Sequence, residues 1–149
     1  MPEKETLERA EQDKREGKSP STQAGEFVRE EIHHIREGKH GAASAKQAIA
    51  IGLSKARRAG VDLAPPKKGS VSEKTRKSAA RDSHRGHSRK KKAVSARRSR
   101  SSETPLKREP RSAASHKALS RQAKSAARTR RKSGTATQSR RTQSRRKAA

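Results

Sequence analysis

The sequence predicts an all-α protein: a small helical hairpin over about residues 20–37 and 44–59, a charged N-terminal helix or arm before it, and a long disordered basic C-terminal tail after it. Three observations carry this reading. Leu, Ile, Val and Phe number 14 in 149 residues, with one Phe and no Trp or Tyr. That is far below the roughly 20% under which a highly charged chain is usually disordered. Nine of those 14 fall within residues 19–63. Charge is segregated as well: residues 64–149 hold 29 Lys/Arg against Glu73, Asp82, Glu103 and Glu109, which is +25 of the net +26. The chain therefore divides into 1–18, 19–63 and 64–149.

Residues 1–18 carry six acids and five bases, punctuated by Pro2 and Gly17. Glu5–Arg9 and Glu11–Arg15 stand at i, i+4, where each pair supports a helix by only about 0.2–0.5 kcal/mol. Leu7 and Ala10 are the main apolar residues, so a frayed, solvated helix that packs weakly is expected. Ser19-Pro20 then reads as a capping hydroxyl followed by proline at the first helical position. In the helix it opens, Ala24, Val28, Ile32 and Ile35 form one stripe with Phe27 on its border, while Glu26, Arg29, Glu30, His33 and Glu37 face away. Gly38 closes it, and residues 38–43 connect it to the next element.

The strongest helix signal is Ser44–Gly60. Ser44 is a good N-cap, Gln47 completes a capping-box pattern, and Gly60 suits a left-handed C-terminal closure with Val61 covering Ala56. Ala45, Ile49, Gly52, Leu53 and Ala56 share a face rich in small residues, which lets another backbone approach closely. Ile51 lies on the far side with Gln47, Ser54 and Arg58. So small a core is marginal, and self-association through the hairpin, or order induced by a ligand, is expected to stabilise it.

Pro65-Pro66 ends the folded part, because proline lacks a donor and favours an extended path. Beyond it, Lys77-Ser-Ala-Ala-Arg81 recurs as Lys124-Ser-Ala-Ala-Arg128, and Gln138-Ser-Arg-Arg141 as Gln143-Ser-Arg-Arg146. The irregular spacing marks low complexity. Like-charge repulsion keeps such a segment disordered in isolation, and Ala-rich pieces such as Ser112–Arg131 are expected to turn helical once phosphates neutralise the bases.

Charge of this size selects polyanionic partners. Without aromatics in the tail there is no stacking platform, so binding is expected to be phosphate-led and nonspecific. The candidate nucleic-acid-binding residues are Arg89, Lys90, Lys91, Lys92, Arg97, Arg98, Arg100, Arg128, Arg130, Arg131, Lys132, Arg140, Arg141, Arg145, Arg146 and Lys147. Lys46, Lys55, Arg57 and Arg58 read as a solvated helix face. A helix-turn-helix is disfavoured by the long connector and the lack of a third helix. Glu30-Glu31-Ile32-His33-His34 contains Glu-x-x-His twice and His84/His87 form His-x-x-His, but the second helix has no acid or histidine. Structural histidines, and no metal or other cofactor, are the expectation. No Cys is present, and neither a Gly-x-Ser-x-Gly nor a phosphate-loop motif occurs, so no enzyme activity is expected. The N-terminus lacks an apolar signal region and the longest apolar run is Ala48–Ile51. A soluble cytoplasmic protein with no membrane partner is the expectation.

Three resemblances follow. The Lys/Arg/Ala/Ser mixture of residues 64–149, with Thr104-Pro-Leu-Lys-Arg108, resembles the basic tails of linker histones and bacterial histone-like proteins. Arg97-Arg-Ser-Arg-Ser-Ser102 is similar to the Arg/Ser segments of splicing factors. More specifically, Thr22–Ile32, Lys39-His-Gly41 and Lys46–Gly60 resemble a bacterial family of small basic proteins of unknown function, often labelled DNA-binding or histone-like, over residues 18–67. That resemblance implies a bacterial, cytoplasmic protein and brings no site residues. The function expected is non-sequence-specific binding and compaction of DNA at the nucleoid. The alternatives are an RNA- or ribosome-associated protein, which also reads phosphates, and a protein-interaction module anchored by its tail.

Overall fold

The structure, a computed structural model, describes residues 2–88 and 95–147, with side chains described except at Arg98 and beyond Lys132. Its helices are α1 (Lys4–Arg15), α2 (Pro20–Glu37), α3 (Ala45–Ala59), α4 (Glu73–His87), α5 (Ala96–Arg108) and α6 (His116–Lys147), with a 3₁₀ turn at Arg111–Ala114. No strand occurs among the described residues; Lys68 and Val71 make an isolated bridge. None of the described helices is long and apolar enough to cross a membrane.

The caps of α2 and α3 follow from local chemistry. Ser19 Oγ accepts from Thr22 N at 3.3 Å, and Ser44 Oγ from Gln47 N at 3.2 Å. Gln47 Oε1 accepts from Ala43 N at 2.8 Å, one residue earlier than the N-cap amide that a capping box satisfies. Gly38 (φ 81°) and Gly60 (φ 99°) close the two helices in the left-handed region, where a Cβ would be strained. Lys39 N then reaches back to His34 O at 3.0 Å, and Val61 N to Ala56 O at 3.1 Å.

Helices α2 and α3 pack antiparallel: Ala24 shares one cluster with Ala56, while Ile35 shares another with Ala48. They are closest at Gly52, where a Cβ would lie 2.6 Å from Val28 Cα and 3.0 Å from Phe27 O. Phe27, expected at the border of the apolar stripe, is fully buried. The reason is α1. Its Ala10 joins Ala24, Phe27, Ala56 and Val61, with Leu7 packed alongside. The expected frayed helix is thus a docked one, held further by Arg9 Nε–Glu26 Oε2 at 2.8 Å.

Past Pro65-Pro66, where composition predicts a disordered tail, the described residues instead form α4, α5, the 3₁₀ turn and α6, and two parts of this region dock on the hairpin. Helix α4 lies on α3: Ser54 Oγ donates to Asp82 Oδ2 at 2.6 Å, Ala79 is buried, and a Cβ on Gly86 would collide with Arg57 O. The far side of α3 therefore faces α4, and Ile51 is half-buried. Further on, the segment around the 3₁₀ turn docks on the α2–α3 connector. Gly41 N donates to Leu106 O at 2.8 Å, Ala42 N to Pro110 O at 3.2 Å, and Arg36 Nε to Ala114 O at 2.9 Å. Ala113 and Ala114 complete the cluster of Ile35, Ala42 and Ala48. These contacts use Ala, Gly, polar side chains and backbone, which a count of large apolar residues does not register.

Candidate functional site

Charged side chains converge at two places. The first is internal, between α1, α2, the connector and α3. Glu30 and Glu31 belong to the side of α2 that faces α3, and both are buried. Lys55 of α3 enters between them, its Nζ 2.6 Å from Glu31 Oε2 and 3.4 Å from Glu30 Oε1. His34 lies one turn after Glu30, with Nδ1 3.9 Å from Glu30 Oε1 and Nε2 2.8 Å from Glu3 Oε1. His40 of the connector places Nε2 3.2 Å from Glu31 Oε1, while its Nδ1 meets Gly41 O at 3.1 Å. The two rings stand nearly perpendicular, with centroids 6.3 Å apart.

Glu3 seals the rim. Its backbone N donates to Glu30 Oε2 at 3.1 Å, and its carboxylate accepts from Lys39 Nζ at 3.0 Å. Hydrogen bonds from His34 first and Lys39 second hold the Glu3 carboxyl down to about 2. Neighbouring Arg57 is also inside, its guanidinium donating to Leu63 O and Ala64 O at 3.2 Å each. Burial lowers its pKa, partly offset by Asp82.

The second concentration is external, on α6. Lys117, Arg121, Lys124, Arg128 and Arg131 recur at alternating intervals of four and three and are all exposed. That spacing keeps them on one face, about 5 Å apart along the axis. Ala118, Leu119, Gln122, Ala126 and Ala127 are half-buried, while Ser120, Ala123, Ser125 and Thr129 are exposed like the bases. Like charges at i, i+4, as at Lys117/Arg121 and Lys124/Arg128, oppose an isolated helix by a few tenths of a kcal/mol per pair. Anionic partners would remove that opposition.

Residues 14–68 match DUF6496, a family of unknown function. No curated protein and no solved structure matches the chain. The DUF6496 region spans the end of α1, all of α2 and α3, and the chain to Lys68. It contains the internal charge cluster apart from Glu3, and it excludes α4, α5 and α6.

The residues expected to meet nucleic acid all lie outside the DUF6496 region. Arg89, Lys90, Lys91 and Lys92 are outside the described residues. Arg97, Arg98 and Arg100 belong to α5, where Arg97 and Arg100 are exposed. Arg128, Arg130, Arg131 and Lys132 are exposed on α6. Arg140, Arg141, Arg145, Arg146 and Lys147 fall in its last turns, beyond the described side chains.

The reading by clusters misses Lys117, Arg121 and Lys124. They are isolated in sequence, and only the alternating helical interval reveals the face they share. Within the DUF6496 region, Lys46 and Arg58 are exposed as expected of a solvated face. Lys55 and Arg57 are not: one pairs with buried carboxylates, and the other closes the chain after α3. Of the two Glu-x-x-His spacings, only Glu31/His34 comes together; His33 is exposed and pairs with Glu37 at 3.2 Å. The signal for His40 was its position just past the helix-ending Gly38, which turns the connector back over the end of α2.

Proposed function

We propose that the chain binds DNA without sequence preference, and compacts it, through the basic residues of its C-terminal half, as a nucleoid-associated or histone-like protein of the bacterial cytoplasm does. One observation carries the proposal: residues 64–149 hold +25 of the +26 net charge, while residues 1–63 are nearly neutral. The exposed basic face of α6 supports it. Lys and Arg at these positions meet phosphates and release counterions, a favourable term indifferent to base sequence. Bound phosphates also relieve the repulsion along α6, so binding and helix stability reinforce each other. The chain acts as a binder rather than a catalyst. Several separated clusters, including Arg97–Arg100 and the α6 face, allow one molecule to bridge neighbouring duplex segments.

Truncation at residue 64 is a poor test, because α4 and the 3₁₀ turn pack on α3 and the connector. The test is substitution of Lys117, Arg121, Lys124, Arg128 and Arg131 by Gln in the full chain. Gel shifts with unrelated duplexes of equal length are expected to give equal affinities for the parent, reduced together in the variant. A strong preference for one duplex would overturn the reading, as would unchanged affinity of the variant. Competition with structured RNA at matched salt separates DNA from RNA as the preferred polyanion.

A further inference from the structure

We propose that Glu31, His34 and His40 form a binding site for a divalent transition-metal ion of the zinc class, with Lys55 as the resident cation that the ion displaces. One donor atom from each of the three residues lies within 4.8 Å of the others. All three are buried or nearly so. A zinc ion with bonds of about 2.0–2.1 Å draws such donors to about 3.4 Å from one another. That contraction lies within the reach of side-chain rotation about Glu31 and of the short connector bearing His40.

Two further features point to a ligand. Glu31 is 1% exposed and accepts no backbone hydrogen bond; its charge is met by Lys55 Nζ, 2.6 Å from Oε2, and by His40 Nε2, 3.2 Å from Oε1. Lys55 also reaches Glu30 Oε1, 3.4 Å away, so a second carboxylate is at hand for it when an ion takes Glu31. The histidines supply the second feature. A carboxylate and a carbonyl only accept, so His34 donates from Nε2 to Glu3 and His40 donates from Nδ1 to Gly41 O. The other nitrogens, His34 Nδ1 and His40 Nε2, are left facing the two buried glutamates. An outer N–H held by a carboxylate or backbone carbonyl is how the rings of ligating histidines are oriented.

The donor set decides the ion. Two imidazoles and one carboxylate suit zinc and its neighbours rather than calcium or magnesium, which prefer all-oxygen shells. Glu30 stays behind as the partner of Lys55 when the ion takes Glu31. The bound ion would tie the connector to α2, with Glu3 holding α1 to the rim.

The test is zinc titration of the untagged full chain against a chromogenic chelator, alongside Glu31→Gln, His40→Asn and Lys55→Met. The parent is expected to bind one zinc ion tightly. Glu31→Gln and His40→Asn are expected to weaken that ion at least 100-fold, leaving loose binding by exposed histidines such as His33, His84 and His116. His40→Asn lies on the connector, and circular dichroism checks that it keeps the parent's helix content. Lys55→Met is expected to bind about tenfold more tightly than the parent, a gain that a merely structural role for the cluster does not give. No tight zinc site in the parent would overturn the proposal, as would equal affinity in His40→Asn, or a magnesium affinity matching that for zinc.

Discussion

Gly52 and Gly25 make a matched pair. Each sits inside a helix, and each Gly→Ala change removes about 0.8–1.0 kcal/mol of helix-propensity penalty. Their surroundings differ. A Cβ at Gly25 meets nothing within 4 Å, whereas one at Gly52 would lie 2.6 Å from Val28 Cα and 3.0 Å from Phe27 O. Those neighbours are backbone, so relief requires α2 and α3 to separate. Overpacking of this kind costs about 1–3 kcal/mol. Gly25→Ala is therefore expected to stabilise by up to about 1 kcal/mol, and Gly52→Ala to lose up to about 2 kcal/mol net. For a chain of this size about 2–4 °C accompanies each kcal/mol, which separates the two melting temperatures by about 2–12 °C. Thermal melts followed by circular dichroism read this directly. Equal shifts of the same sign in both variants would refute the close crossing of α2 and α3 at Gly52.

Three other expectations concern the docked segments. The Glu3 carboxyl is held at about 2 against an ordinary 4.5, so its contribution to stability is present above pH 4.5 and is lost as pH falls from there toward 2. Denaturation midpoints across that window should drop more steeply for the parent than for Glu3→Gln; parallel curves would contradict the rim contacts. Gly86→Ala should detach α4 from α3, seen as faster amide exchange over Glu73–His87 with α2 unchanged; unaltered exchange would contradict the packing. Arg36→Ala removes the bond to Ala114 O and should make the 3₁₀ segment at Arg111–Ala114 more sensitive to trypsin; an unchanged cleavage rate there would show that Arg36 does not hold it.

The caps were the most legible part of the fold. Ser19-Pro20 with Gly38, and Ser44 with Gly60, announce residues 20–37 and 44–59, and the structure has Pro20–Glu37 and Ala45–Ala59. Those signals are local, arising from side-chain oxygens and glycine within a few residues of the helix end. What packs on those helices was not legible. Leu7 and Ala10, Ala79, and Ala113–Ala114 are small or sparse, and their burial depends on distant partners that no local pattern names.

The same limit applied to charge. Glu30 and Lys55 look like solvent-facing residues on a helical wheel, because the wheel assigns burial by hydropathy, yet they neutralise each other 25 positions apart inside the fold. Segregation of positive charge into residues 64–149 was plain from composition. The single face shared by Lys117, Arg121, Lys124, Arg128 and Arg131 needed the helix to be drawn.

The salt dependence of DNA affinity tests the central claim most directly. If the basic half binds through phosphates, log Kd against log salt should be linear for the full chain, with a steep slope near −9 in affinity for about ten contacts on duplex DNA. Neutralising the five bases of the α6 face should flatten that slope by about 4.5, at about 0.9 per contact. A shallow slope for the parent, or the same steep slope in the variant, would contradict it.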